Sequence, residues 1–261
     1  MNSVAELRMQ LQGPRVSVDT WYGRNVMRRF SIYFTWVFAK LGCSPNTATS
    51  LSLLCALLGG VFLSRASWGP GILLINLWYL LDHVDGELAR LSGKASAAGL
   101  FYDTAINFLV QPLTFLGLGW GLSQSAADPY FLFGVLGALG YLILNLIPMS
   151  EASIVLEIIQ RCGVSKEPVF FKVEVSHTGY GFRTLFAAWH KAVTFPNFLM
   201  ALSAAYPVTV LMVPDFTRPF LMGFLVFYSV SCTVVWGLQL FWKVYSKKLD
   251  AHPWIAGGEV K

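Results

Sequence analysis

Apolar residues in this chain run in long blocks rather than in short alternating strands. Residues 41–64, 104–127, 129–150, 192–214 and 219–242 contain no Asp, Glu, Lys or Arg, and each block is 22 to 24 residues long. A helix needs about 20 such residues to cross a hydrocarbon core, so each block predicts a span. A sixth block, 66–81, has only 16 residues and is followed at once by Asp82, Asp85, Glu87 and Arg90. A helix crossing there carries ionisable groups to membrane depth. The pattern predicts an all-α polytopic membrane protein with six transmembrane helices, near 46–65, 69–91, 96–121, 129–150, 193–213 and 219–242. Residues 20–41 mix aromatics with Arg and Lys and predict an N-terminal amphipathic helix in the membrane interface. A similar stretch, 179–191, precedes the fifth span. The expected organisation is a cytoplasmic N-terminus and juxtamembrane helix over 1–45, a six-helix domain over 46–242 and a cytoplasmic tail over 243–261.

Composition narrows this reading. Of 261 residues, 55% are hydrophobic and only 13% are charged, about half the usual charged share. A soluble domain could not hide that much apolar surface, and disorder or a small disulfide scaffold is excluded. The net charge of +5 alone would allow nucleic-acid binding, but a mean hydropathy of +0.57 argues against it. Six spans put both termini on one side. All of the 19 basic residues except Arg65 and Arg218 fall on that side, so both termini are expected in the cytoplasm. The polar start lacks a signal-peptide pattern, which leaves the first span as the expected insertion signal. Cys43, Cys55, Cys162 and Cys232 show no metal-ligand spacing and read as free thiols. Gly117 with Gly121, and Gly134 with Ala138, are small-residue pairs for helix contacts, within the chain or between two copies.

Four of the 14 acids crowd into residues 82–103: Asp82, Asp85, Glu87 and Asp103. Carboxylates at membrane depth are costly and usually functional; structural pairing, with Arg90 at hand, is the alternative. Asp82, Asp85, Gly86, Ala89 and Arg90 share one face of a helix, and Gly99, Asp103 and Asn107 share one face of the next. A short turn near Ser92–Ala95 makes these helices antiparallel, so the stripes can face each other. Three carboxylates and an amide oxygen would then converge. Such hard oxygen donors suit Mg²⁺, Mn²⁺ or Ca²⁺ rather than zinc. Beside an Arg, a cation so held is a natural pyrophosphate clamp. Both stripes lie near the cytoplasmic ends of their spans, within reach of lipid from the side and a nucleotide from the cytoplasm.

The run Asp82-x2-Asp85-Gly86-x2-Ala89-Arg90-x8-Gly99-x3-Asp103-x3-Asn107 resembles the signature of the CDP-alcohol phosphotransferase (CDP-alcohol phosphatidyltransferase) family, which has Asp at the last position. Pro45-Asn46-x2-Thr49 also looks like the family's usual start to its first span. The resemblance implies Mg²⁺-dependent transfer (Mn²⁺ serving equally) of a phospho-alcohol from a CDP-alcohol to a second alcohol, with release of CMP, in phospholipid biosynthesis. It implies that Asp82, Asp85, Asp103 and Asn107 hold metal, with two divalent ions expected. Asn46, Thr49, Asp82, Gly86, Ala89, Arg90 and Gly99 would bind the CDP-alcohol. It further implies a lipid substrate or product, a homodimer, and a site facing the cytoplasm of a bacterial inner membrane or an ER-type membrane. CDP-diacylglycerol with a polar alcohol is the expected pair; transfer of phosphocholine or phosphoethanolamine to diacylglycerol is the alternative.

Asn107 departs from the signature where the family is thought to place its general base. An amide can coordinate through its carbonyl but cannot take a proton at neutral pH. Three readings stay open: a base-deficient chain that still binds CDP-alcohol, which the intact remainder favours; another group as base, with Asp103 committed to metal and His83 one residue off the stripe; or a member without catalysis. Outside the family, an ion-coupled transporter and an intramembrane prenyltransferase also place acids in membranes. The acids here lie near one face and no repeat is evident, which argues against a transporter, and the Gly-x2-Ala-Arg…Gly-x3-Asp continuation argues against a prenyltransferase. His83 and Glu87, at i and i+4, read as a structural pair. Arg24, Arg28, Arg29, Lys172 and Arg183 could hold phosphates, though the cytoplasmic charge bias explains them. Trp21, Tyr22, Phe101, Tyr102 and Trp189 could cage a quaternary ammonium, but an aromatic belt is the simpler reading.

Overall fold

The computed structural model describes residues 4–12, 20–123, 128–161 and 182–245. Among them all regular structure is helical. The helices are α1 (Val4–Gln12), α2 (Arg28–Lys40), α3 (Pro45–Ser64), α4 (Trp68–Ser92), α5 (Ala97–Leu122), α6 (Pro129–Arg161), α7 (Phe182–Ala192), α8 (Phe195–Met212) and α9 (Thr217–Tyr245). A π-helical turn, Gly23–Met27, leads into α2, so the expected helix over 20–41 is present with a wider first turn. The similar stretch expected over 179–191 is helical from Phe182 to Ala192, as α7. Cys162, Lys166, Lys172, His177 and His252 lie outside the described residues.

Five helical stretches are long and apolar enough to cross a membrane: Pro45–Ser64, Ala97–Leu122, Pro129–Ile154, Phe195–Met212 and Pro214–Tyr245. The expected sixth span, α4, has 25 residues, but its C-terminal turns carry Asp82, Asp85, Glu87 and Arg90, and length and composition alone do not mark it as a crossing. Two helices outrun their predicted ends by more than a single residue. α6 continues past residue 150 to Arg161, and α9 continues past 242 to Tyr245. A charge-free window measures the apolar stretch, whereas the backbone ladder carries on beyond it.

Local chemistry explains the helix ends nearest the carboxylates. Ser44 caps α3 by accepting from Thr47 N, with Pro45 at the first helical position. α4 stops at Gly93, whose φ of +64° is the left-handed conformation glycine adopts without strain. Ser96 then caps α5, its Oγ accepting from Gly99 N at 3.0 Å. The turn between the two stripes is therefore closed at both ends.

α3 packs along both α4 and α5, α5 on α6, and α6 on α9, while α8 bridges α4 and α9. Phe115 and Phe198 are fully buried at the centre, their rings 4.7 Å apart. The small-residue pairs serve contacts within the chain. A Cβ on Gly117 would lie 2.7 Å from the Gly60 carbonyl oxygen of α3, and Gly134 lies against the α5 backbone at Phe115 and Gly119. Cys43, Cys55 and Cys232 are free thiols.

The outer surface is apolar. Leu54, Val61, Phe227 and Leu240 are exposed on α3 and α9. α2 is inverted relative to a helix of a soluble protein: Ser31 and Thr35 are buried, whereas Phe30 is 57% and Tyr33 52% exposed. An apolar surrounding, such as lipid, suits that arrangement.

Candidate active site

Each predicted stripe comes from one helix, and α3 supplies a third wall. A cavity of about 220 Å³ lies between α3, α4 and α5. Asn46, Thr49, Asp85, Gly86, Ala89, Arg90, Gly99 and Asp103 all line it, as does Lys94 from the turn. Asp82 and Asn107 adjoin Asp103 without lining the cavity. Asn107 Nδ2 donates to Asp82 Oδ1 at 3.1 Å and to Asp103 Oδ1 at 3.3 Å. The Asp82 and Asp103 carboxyl groups also meet at hydrogen-bonding distance, and Asp85 lies within electrostatic reach of both.

Asp85 is buried, and Thr49 Oγ1 donates to its Oδ2 at 2.8 Å. That bond crosses from α3 to α4, giving Thr49 a distinct job: it orients a carboxylate. A Cβ on Gly86 would lie 3.3 Å from Arg90 Nη1, and one on Gly99 would lie 3.2 Å from Ser96 Oγ and 3.7 Å from Asn46 Oδ1. Glycine at these two positions keeps the cavity open to a ligand. Lys94 and Ser96 were not among the predicted site residues. Their position in the turn between the stripes was the available signal.

The donor set suits a hard divalent cation: carboxylate and amide oxygens, with no thiol or imidazole pair beside them. Among the described residues no three acidic, imidazole or thiol side chains already surround one point as ligands. Asn107 instead turns its amide hydrogens to the two carboxylates. With its oxygen turned inward it would complete the donor set.

His83 and Glu87 do not pair. His83 Nδ1 lies 2.9 Å from the Tyr79 carbonyl oxygen, and its ring packs edge-on against Tyr79 at 4.7 Å. Glu87 is fully buried on another face of α4 and accepts from Gln12, Ser31 and Thr35. The five aromatics form no cage: Trp21 and Phe101 are 61% and 76% exposed, whereas Tyr22 and Trp189 pack into the core.

A second, larger cavity of about 550 Å³ flanks α4 on the side of α2 and α8. Its walls include Phe30, Phe34, Leu73, Leu77 and Pro207, and polar groups enter only through Tyr22, Asn76, Ser203 and Tyr206. Tyr22 donates to Asn76 Oδ1 at 2.5 Å, and Asn76 Nδ2 donates to Ser203 Oγ at 2.8 Å. The groove is apolar with one polar line along its floor.

The acids of two antiparallel helices thus gather beside one small polar cavity in a bundle whose helices are mostly long and apolar enough to cross a membrane. The model of the CDP-alcohol phosphatidyltransferase family matches residues 43–235, and the chain belongs to that family. A phosphatidylinositol phosphate synthase of Streptomyces avermitilis is 31% identical over 97 residues, 37% of this chain and 40% of that protein. An uncharacterized protein of Aquifex aeolicus is 34% identical over 82 residues, 31% of this chain and 42% of that protein. The matched stretches thus cover less than half the length of either relative.

Proposed function

We propose that this chain binds a CDP-alcohol with a divalent cation, Mg²⁺ or Mn²⁺, and transfers its phospho-alcohol to a second alcohol with release of CMP. The observation that supports this best is the cavity itself. Six of the residues that the signature assigns to the nucleotide or to its opening line one 220 Å³ space with Asp85 and Asp103. Asp82, Asp85, Asp103 and the Asn107 oxygen would hold the cation, which when bound would neutralise charge on the pyrophosphate oxygens. Arg90 and Lys94 face the same space and add positive charge for the phosphates. The acceptor hydroxyl attacks the β-phosphorus; the bond from that phosphorus to the bridging oxygen breaks, and CMP leaves. Asp82 and Asp103, whose carboxylates lie 3.1 and 3.3 Å from Asn107 Nδ2, are the groups at hand to take the proton, and either does so less well than a dedicated base at 107.

The donor we favour is a CDP-diacylglycerol. The 550 Å³ apolar groove opens beside α4 and fits acyl chains, and the Streptomyces relative is named for a phospholipid product. In this reading α4 is the sixth span, both termini and the polar cavity face the cytoplasm, and two copies pair in the membrane. A CDP-alcohol-binding scaffold without turnover is the second reading, favoured by Asn107 donating to both carboxylates. Binding of a CDP-alcohol to the purified protein, with and without Mg²⁺, tests the shared core of both. Binding that requires Mg²⁺ is expected. Binding indifferent to Mg²⁺, or none at all, would overturn the reading.

A further inference from the structure

Glu87 lies between two signature residues, yet its side chain points away from the cavity and is fully buried. A carboxylate removed from water needs close polar partners. Glu87 has three, none on its own helix or a sequence neighbour. Gln12 Nε2 donates to its Oε1 at 2.8 Å, Ser31 Oγ donates to the same oxygen at 2.8 Å, and Thr35 Oγ1 donates to Oε2 at 2.6 Å. Gln12 is the last residue of α1, and its Nε2 also donates to the Arg28 carbonyl oxygen at 2.8 Å. Around this point Leu7 and Leu11 of α1 pack on Ile32 of α2, with Leu91 from the end of α4 against them.

α4 is thereby gripped from two sides. Thr49 of α3 holds Asp85, and two residues on, α1 and α2 hold Glu87. Residues two apart on a helix point about 200° apart, so the grips oppose each other and together set the rotation of α4 about its axis. Rotation decides where Asp82 and Asp85 point. The outward side of α2 bears Phe30, Tyr33, Phe34 and Val37, so the element holding Glu87 is itself seated against lipid.

We propose that Glu87 is a positioning residue: a buried latch through which α1 and α2, docked at the membrane interface, hold the carboxylates of α4 in register for the cation and nucleotide. The effect on ligands rests on the proposed function; the mechanical coupling does not. The test uses the full chain in lipid nanodiscs, comparing Glu87→Ala, Glu87→Gln and Gln12→Leu by hydrogen exchange, Mg²⁺-dependent CDP-alcohol binding and CMP release. Glu87→Ala should speed exchange at least tenfold both in α1 and across Asp82–Arg90. It should raise the Mg²⁺ requirement by roughly 10-fold or more, as a small misplacement of a site does. Glu87→Gln, which keeps an acceptor oxygen and the side-chain length, should recover most of both losses. Gln12→Leu should loosen α1 and shift the Mg²⁺ requirement in the same direction. Loosening of α1 with Asp82–Arg90 exchange and Mg²⁺ dependence unchanged would reduce Glu87 to a fastening for α1 and overturn the proposal. Unaltered exchange in α1 would overturn it too. Coupled exchange in a chain that binds no CDP-alcohol would instead sink the functional reading and leave the latch standing.

Discussion

Asn107→Asp removes a neutral donor that bridges two carboxylates and puts a third acid in its place. The amide donates at 3.1 Å to Asp82 and at 3.3 Å to Asp103. A hydrogen bond to a charged acceptor contributes about 1.5–3 kcal/mol, and two bonds of this length together contribute about 3 kcal/mol, at the lower end. The new carboxylate adds repulsion of about 4 kcal/mol per like-charged neighbour at about 4 Å and an effective dielectric of ~20. Proton uptake relieves some of that cost. With a chelator present, the substituted chain should therefore lose about 3 kcal/mol or more, a drop of roughly 6–12 °C in melting temperature for a chain of this size. Mg²⁺ should reverse the order, because a fourth carboxylate at the site gives a hard cation one more charged oxygen. The assay is thermal unfolding of both forms in the same nanodiscs, in EDTA and across an Mg²⁺ titration. Equal melting of the two forms in EDTA, or an Mg²⁺ response no larger for the Asp form, would refute this account of residue 107.

Three further predictions follow from single contacts. Thr49→Val deletes the 2.8 Å bond to Asp85 and should weaken Mg²⁺-dependent nucleotide binding by about 10–100-fold, the usual cost of losing a partner that orients a ligand; titration of binding against Mg²⁺ checks this. Gly121→Ala would drive a methyl into the Leu63 carbonyl oxygen and should destabilise the α3–α5 contact by about 1–3 kcal/mol, read as a lower melting temperature. In α7, burial and then the charge of Lys243 hold the His190 imidazole below its ordinary range; Lys243 is itself paired with Glu151 of α6. The unfolded chain takes up that proton first, so the contribution of His190 is present above about pH 6.5 and lost as pH falls through and below it. Proteolysis of α7 should rise over that interval, and His190→Gln should flatten the change.

The helices and the two stripes were legible because both depend on local spacing. Charge-free length marks a span, and residues at i, i+3, i+4 and i+7 share a face whatever surrounds them. Asp82, Asp85, Gly86, Ala89 and Arg90 lie along α4 as the spacing required, and Gly93 and Ser96 close the turn that sets Asp103 and Asn107 opposite them. Two kinds of feature were not legible. α1 is short and has no long apolar face to announce it; it is held by Leu7, Leu11 and Gln12 docking on residues far along the chain. Glu87 was read as a partner of His83 because helical spacing is all a sequence displays, whereas its bonds reach Ser31, Thr35 and Gln12, 52 to 75 residues away. α2 also inverts the usual rule, burying hydroxyls and exposing Phe30 and Phe34, and such a face cannot be assigned without knowing which side meets lipid.

The proposed function requires the acids of α4 and α5 to serve cleavage of a CDP-alcohol. The most direct measurement is CMP release by the purified chain and by its Asn107→Asp form, against a panel of CDP-alcohols and acceptors, with Mg²⁺ and with EDTA. CMP release is expected to need both Mg²⁺ and an acceptor and to be greatest with CDP-diacylglycerol. The rate should be at least ~100-fold higher in the Asp form, the effect of a positioned base, and should be lost when Asp85→Asn is added. Equal rates for the two forms would contradict the reading of residue 107, and no CMP from either form with any donor would contradict the account as a whole.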